Sequence, residues 1–252
     1  MPAFGGMAGL DWLIARPIAH RGLHDASASI IENTQSAIQA AVAAGYAVEV
    51  DLQVTADGDA VVHHDPVLGR VTDGRGRIDA LTVAELKRVP FRATADRMLT
   101  IGDLCDLLGG RATLVLELKS HFDRDPRLVS RIGEVLAAYP GPAAVMSFDP
   151  WQTGMLRALA PVLPRGMVAQ RRHRDSERDG GDRNHALAYL RRAAAAGPQF
   201  IAYAVNDLPA AAPLLVRHVL RLPLLAWTVR NAKQRQLAQR WADQMIFEGF
   251  RP

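Results

Sequence analysis

Cysteine is almost absent from this chain: Cys105 is the only one in 252 residues. An internal disulfide is therefore excluded, and a lone thiol fits a reducing, cytoplasmic setting. Cys105 lies in the apolar helical pattern of Leu104, Leu107 and Leu108, which reads as packing rather than as a reactive group. No Lys/Arg-dense segment is interleaved with aromatics, so the charged stacking surface that nucleic acid needs is missing. Long apolar runs are missing too. None approaches the ~18 residues of a membrane span, and Met1–Leu13 lacks the basic and apolar regions of a secretion signal. The net charge of +4 is small and dispersed, which suits a small anionic ligand better than a polyanion.

What is present is an ordinary globular composition, 49% hydrophobic and 22% charged, long enough for one large domain over residues 1–252. Short β-type runs alternate with Ala- and Leu-rich helical patterns, the signature of a parallel sheet built from βα units. The expected strands are Pro17–His20, Ala47–Val54, Thr113–Lys119, Ala143–Phe148, Arg165–Ala169, Phe200–Tyr203, Leu224–Val229 and Gln244–Phe247. Eight is the count for a closed α/β barrel of the (βα)8 TIM type. Helices are expected over Thr34–Ala44, Pro126–Ala138, Gln152–Leu159, Ala186–Ala196 and Asn231–Trp241. The first is read as opening on a capping residue and closing at Gly45.

One connection departs from the βα pattern. Thr55-Ala56-Asp57-Gly58 is a tight-turn sequence, too short for a parallel crossover, so Ala60–His64 must return antiparallel as a hairpin arm. Folding about that turn brings His64 roughly level with Glu49. A small insertion over the barrel mouth follows, roughly residues 66–110. It includes short helices at Leu81–Arg88 and Ile101–Leu108, opened by Thr82 with Glu85 and Thr100 with Asp103. Arg171–Arg183 (RRHRDSERDGGDR) is the one low-complexity stretch and reads as a solvated loop on the same rim.

Barrel strands point their C-terminal ends at the active site. Glu49 and Asp51, two apart on one strand, share a face, and Glu117 lies inside the otherwise apolar run Leu114–Leu118 on the next. A carboxylate there is costly unless it is paired or metal-bound, and three converging acids suit one hard divalent cation, Mg²⁺ or Ca²⁺. His20 ends the first strand and His64 the hairpin arm, so two imidazoles able to give or take a proton near neutral pH flank the acids. Arg21 offers a fork for anion oxygens and Lys119 a second positive charge, although Lys119 also shares a face with Glu117 and can neutralise it. Gly22 lets the chain turn sharply beside them. Glu32 and Asn33 read as braces for the first loop and caps for the following helix rather than as substrate contacts, and Trp227 as a flat wall of the site or as core. His24 is a weaker candidate for ligand contact. His63, His121, His173, His185 and His218 read as structural or exposed.

The pieces His20-Arg21-Gly22, Glu32-Asn33-Thr34, Glu49-Val50-Asp51, the T-x-D-G hairpin and His64-Asp65 together resemble the glycerophosphodiester phosphodiesterase family. Leu116–Lys119, Ser147–Asp149 and Ala226–Val229 extend the likeness over nearly the whole chain. The resemblance implies a βα barrel with a small insertion and a divalent cation held by Glu49, Asp51 and Glu117. It also implies His20 and His64 as the acid–base pair. The implied reaction converts a glycerophosphodiester and water into glycerol 3-phosphate and an alcohol. Two departures stand out: Ile31 replaces a proline, and Ile246-Phe247-Glu248-Gly249-Phe250-Arg251-Pro252 replaces I-T-D-x-P. The second is expected to alter the barrel floor or the head-group end of the pocket.

Two routes are open to such a site: attack by the substrate's own glycerol 2-hydroxyl through a cyclic phosphate, or direct attack by an activated water. A lysophospholipase D-like hydrolase would need an apolar groove, for which Phe91, Met98 and the leucines of Leu104–Leu108 are the candidates. A phosphate-ligand binding barrel without catalysis is the reading from another class.

Overall fold

The computed structural model describes residues 9–171 and 191–252. The Arg171–Arg183 loop beyond Arg171, the first part of the expected helix Ala186–Ala196, and His173 and His185 lie outside the described residues. Nine strands form one sheet: β1 (Ile18–Ala19), β2 (Ala47–Val54), β3 (Ala60–Val62), β4 (Leu114–Leu118), β5 (Ala143–Ser147), β6 (Arg165–Ala169), β7 (Phe200–Ala204), β8 (Leu224–Val229) and β9 (Gln244–Phe247). Eight of them run parallel in the order β1-β9-β8-β7-β6-β5-β4-β2, and β1 also pairs with β2, which closes the barrel. The ninth, β3, is the hairpin arm. It pairs antiparallel with β2, Leu52 opposite Val62 and Val54 opposite Ala60. β1 pairs with the lower part of β2 and β3 with the upper part, so the hairpin occupies the edge that the short first strand leaves open.

The pleat sorts side chains into two cores. Val48, Val50, Leu52, Leu114, Leu116 and their equivalents face the helices and form the outer core. Ile18, Ala47, Val115, Ala144, Met146, Phe200, Leu225 and Ile246 fill the interior, closed from below by Leu13 of the short helix α1 (Asp11–Ile14). Gly166 of β6 leaves the room that the Phe200 ring takes: a Cβ there would lie 2.4 Å from it. Two residues further along these strands, the same inward parity brings His20, Glu49, Glu117, Trp227 and Glu248 to the mouth. An apolar plug below and a polar cup above thus follow from one alternation.

The helices sit close to the expected places, α2 at Gln35–Ala43, α5 at Arg127–Leu136 and α6 at Pro150–Leu159, with α7 at Ala211–His218 and α8 at Ala232–Trp241. Residues 191–195 are also helical. Thr34 does not cap α2 through its side chain; its hydroxyl donates instead to the Ile31 carbonyl, holding the preceding loop. Both capping boxes of the insertion form, on α3 (Val83–Leu86) and α4 (Ile101–Leu108). α4, however, places Ile101, Leu104 and Leu108 in the outer core and acts as the crossover helix between β2 and β4. The part with its own apolar cluster is shorter: Val61, Leu68, Ile78, Leu86, Phe91 and Met98. Phe91, Leu104 and Leu108 are at most 4% exposed and line no groove, whereas the half-buried Leu107 lines a surface pocket with Met98, Leu99 and Arg97. Among the described residues no helix is long and apolar enough to cross a membrane.

Candidate active site

Strand register assembles the acids. Asp51 lies directly opposite Glu117 across β2 and β4, and Glu49 sits one inward step below on β2. One carboxylate oxygen from each of Glu49, Asp51 and Glu117 comes within 4.8 Å of the others. All three residues are buried. Packing three acids together in low dielectric needs compensation. Lys119 supplies part, with Nζ 2.7 Å from Asp51 Oδ1 and 2.5 Å from Glu117 Oε1. Arg21 supplies another part through Nε, 3.1 Å from Asp51 Oδ2.

These charges split the acids' behaviour. Burial opposes ionisation of Asp51, but Lys119 and Arg21 overcome it and hold the carboxyl well below its usual range. Burial, then the fields of Asp51 and Glu117, push Glu49 well above its ordinary value. Its Oε2 accepts from the Arg21 backbone N–H at 2.9 Å, while its Oε1 is buried without a hydrogen-bond partner. Burial also works against the Lys119 ammonium, and Asp51 and Glu117 more than restore it. Three converging acids, with a buried Glu49 oxygen that has no hydrogen-bond partner among the described residues, fit a hard divalent cation.

Asn33 and Glu32 support this cup. Asn33, at φ +59°, donates from Nδ2 to Asp51 Oδ2 at 2.9 Å and accepts from the Asp51 backbone N–H at 3.2 Å. Glu32 Oε1 accepts from Arg21 Nη1 at 2.8 Å. Neither caps α2. Arg21 therefore lies between Glu32 and Asp51, and Lys119 between Asp51 and Glu117, each paired with carboxylates.

The two imidazoles stand on either side. His20 Nε2 is 3.9 Å from Glu49 Oε2, and its Nδ1 meets Glu248 Oε2 at 2.5 Å. His64 Nδ1 meets Asp65 Oδ1 at 2.8 Å. Hairpin register puts His63 level with Asp51, since the His63 N–H donates to the Asp51 carbonyl, and so leaves His64 within one residue of Glu49's level, as expected. His63 is nevertheless turned away, its Nδ1 on the Asp65 carbonyl. For His64, a third exposed, burial lowers the pKa and the field of Asp51 is the largest influence opposing it. Burial likewise lowers His20, against the Glu248 hydrogen bond.

Glu248 is the residue that sequence reasoning missed. It follows β9 and shares the inward parity of Ile246, so alternation alone could have found it. The departure from I-T-D-x-P thus falls at the mouth, beside His20, and not on the barrel floor. Glu248 also accepts from Arg230 Nε at 2.6 Å and lies 3.6 Å from His24 Nε2. Burial opposes its charge, but His20, His24 and Arg230 lower its pKa strongly. Trp227 is half-buried and lies edge-on to Phe148 with ring centroids 5.5 Å apart.

Fold and site together define a (βα)8 barrel built around a candidate divalent-cation centre with two carboxylate-held histidines. The model of the glycerophosphoryl diester phosphodiesterase family matches residues 20–250, and the chain belongs to that family. The glycerophosphodiester phosphodiesterase of Caldanaerobacter subterraneus subsp. tengcongensis is 29% identical over 163 residues, 61% of this chain and 66% of that protein. Bovine glycerophosphodiester phosphodiesterase 1 is 47% identical over 74 residues, 29% of this chain and 21% of that protein. Both matches thus span less than two thirds of the relative's length. In fold, the chain is similar to a phosphodiesterase from Oleispira antarctica, with TM-score 0.76 and 23% identity over 92% of this chain and 91% of that one. It is also similar to glycerophosphodiester phosphodiesterase from Thermotoga maritima, with TM-score 0.69 and 20% identity over 91% and 92%.

Proposed function

We propose that the protein hydrolyses glycerophosphodiesters to glycerol 3-phosphate and an alcohol, a step of lipid and glycerol metabolism carried out in the cytoplasm. The observation that carries this reading is the pairing of two imidazoles, each held at Nδ1 by its own carboxylate, across a buried trio of acids. The Oleispira antarctica phosphodiesterase holds the product sn-glycerol 3-phosphate, a ligand of the proposed size and charge.

Glu49, Asp51 and Glu117 would hold one divalent cation, Mg²⁺ or Ca²⁺, which supplies Lewis-acid neutralisation of the phosphate's negative charge. Arg21 and Lys119 add donors for the phosphoryl oxygens at the same rim. Because Glu248 and Asp65 both take the Nδ1 proton, each histidine presents Nε2 to the substrate. His20 is buried and favoured in its neutral form, which suits the base. It removes the proton from the glycerol 2-hydroxyl, whose oxygen attacks phosphorus as the bond to the head-group oxygen breaks. His64, on the open side, acts as the acid in its imidazolium form: Asp65 holds the Nδ1–H and the Nε2 proton passes to the departing alkoxide. Water then opens the cyclic phosphate with the proton transfers reversed. Trp227 forms the wall against the glycerol carbons.

A lysophospholipase D-like activity would have to draw on the surface pocket that Met98 and Leu107 line, since Phe91, Leu104 and Leu108 are buried. The deciding assay incubates the full chain with glycerophosphocholine, glycerophosphoethanolamine and a lysophospholipid, with EDTA and then with Mg²⁺ or Ca²⁺. Metal-restored release of glycerol 3-phosphate is expected. Tight binding of glycerol 3-phosphate without turnover would instead favour the non-catalytic barrel.

A further inference from the structure

The insertion sends one side chain to the rim that the chemistry above leaves unused. Arg70 lies between β3 and α3, in a loop tied down by Leu68 in the satellite cluster and by the Leu68 N–H donating to the Gly76 carbonyl at 2.9 Å. Gly69 N–H, next to it, donates to Thr72 Oγ1 at 3.1 Å, and Thr72 is fully buried. From this base the guanidinium forks onto Glu32, Nη1 to Oε2 at 2.9 Å and Nη2 to Oε1 at 2.6 Å. Its Nε reaches Asp65 Oδ2 at 2.5 Å.

Both carboxylates have a second partner in the site. Asp65 offers its other oxygen to His64 Nδ1, and Glu32 Oε1 also accepts from Arg21 Nη1. A run of charge-assisted contacts therefore leads from His64 through Asp65, Arg70 and Glu32 to Arg21. Only a planar guanidinium with donors along two edges spans the pair of carboxylates this way. Without it Asp65 is free to rotate about its own side-chain bonds, and nothing holds its oxygen on His64 Nδ1. Arg70 itself is 46% exposed, so packing is not its contribution, and ion pairs this open add little to stability.

We propose that Arg70 is a positioning residue that acts through Asp65 to hold His64 in a single tautomer and orientation. The catalytic part rests on the acid–base reading given above.

The test compares Arg70→Ala and Asp65→Asn with the unsubstituted full chain. Outer partners that orient a metal-bound imidazole are typically worth roughly 10–100-fold, and the same scale is expected for a carboxylate-held acid. A fall in kcat of that size on glycerophosphocholine, with little change in melting temperature, is expected for Arg70→Ala. On the p-nitrophenyl diester of glycerol 3-phosphate the loss shrinks to a few-fold, because a phenolate leaves without a proton. The double variant falls no further than Asp65→Asn alone, since both act on one histidine. Equal losses on the two substrates, or additive losses, would overturn the proposal.

A readout independent of turnover is ¹⁵N histidine NMR at mildly alkaline pH, with His64 assigned by its absence in His64→Ala. The Nδ1–H tautomer is expected in the unsubstituted chain and a mixture in Arg70→Ala. An unchanged His64 tautomer refutes Arg70's role even if the chain hydrolyses nothing, while inactivity of the unsubstituted chain defeats only the proposed function.

Discussion

His20 Nδ1 and Glu248 Oε2 meet at 2.5 Å, joining the end of the first barrel strand to the end of the last. The contact is possible because Ala19 is level with Phe247 where β1 and β9 pair, so the next residue on each strand faces its counterpart across the closure. A carboxylate on Nδ1 fixes the tautomer and leaves Nε2 as the free lone pair. Replacing Glu248 with glutamine keeps the shape and removes that instruction. In a comparable triad an Asp-to-Asn change costs about 10⁴ in kcat. Glu248→Gln is expected to lose roughly 10²–10⁴ in kcat, within the range that general base catalysis contributes. Steady-state kinetics beside a thermal melt checks it; full activity would remove Glu248 from the reaction.

The two imidazoles themselves are the sharper test of the acid–base pair. His20→Ala and His64→Ala should each remove most turnover, and circular dichroism should show the fold retained. Near-normal activity in either would break the pairing. The p-nitrophenyl diester assigns the roles, because a variant lacking only the acid regains much of its rate there.

Metal binding should release a proton. Burial and its acidic neighbours raise the pKa of Glu49, and a cation takes it only as a carboxylate. Affinity for Mg²⁺ or Ca²⁺ therefore rises with pH until Glu49 ionises by itself. For the metal-free protein the sign is opposite. A carboxyl whose folded pKa lies above its ordinary 4.5 makes stability fall as pH rises from that value to the raised one, because the folded state binds the extra proton. Calorimetric titrations in two buffers of different ionisation enthalpy measure the released proton. Equal heats in both buffers would contradict it.

Much of this site is legible in the sequence because alternation along a strand is rigid. Glu49 and Asp51 must share a face once Val48, Val50 and Leu52 are buried on the other, and the T-x-D-G turn forces β3 to return beside them. The same parity reaches Glu248 from Ile246, yet a single acid near the chain's end has no nearby companion to mark it. Its partner is 228 residues away, and only closure of the barrel brings the two together. Arg70 is hidden for a related reason: its contacts to Glu32 and Asp65 depend on how an irregular loop folds, for which no period exists. The role of α4 escapes local reading as well. Its capping box is plain in the sequence, but whether a short capped helix belongs to the insertion or to the barrel depends on which core takes Leu104 and Leu108.

Lys119 holds together two acids that face each other across a strand pair. Lys119→Met leaves Asp51 and Glu117 with only Arg21 nearby, and breaking a buried ion pair from one side costs about 3–5 kcal/mol. Urea unfolding without metal should show a loss of this order. Added Mg²⁺ should recover part of it, since a divalent cation replaces the missing charge in the same place. A loss unaffected by metal would mean that the carboxylates do not gather around a cation.

Gly22 sets the geometry from which Arg21 and Glu49 meet. It has φ +78°, and a Cβ there would lie 2.7 Å from the Ala37 carbonyl carbon of α2. Its N–H donates to the Glu49 carbonyl at 3.1 Å, one residue after the Arg21 N–H reaches the Glu49 carboxylate. Alanine would have to occupy a left-handed conformation, costing about 1–3 kcal/mol, and would also push against helix backbone that has no side chain to yield. Either the turn or α2 must shift, and the turn carries Arg21 away from Glu49. Gly22→Ala is therefore expected to lower the urea midpoint and to weaken Mg²⁺ binding together. A variant that loses stability but keeps its metal affinity would show that the turn serves the fold alone.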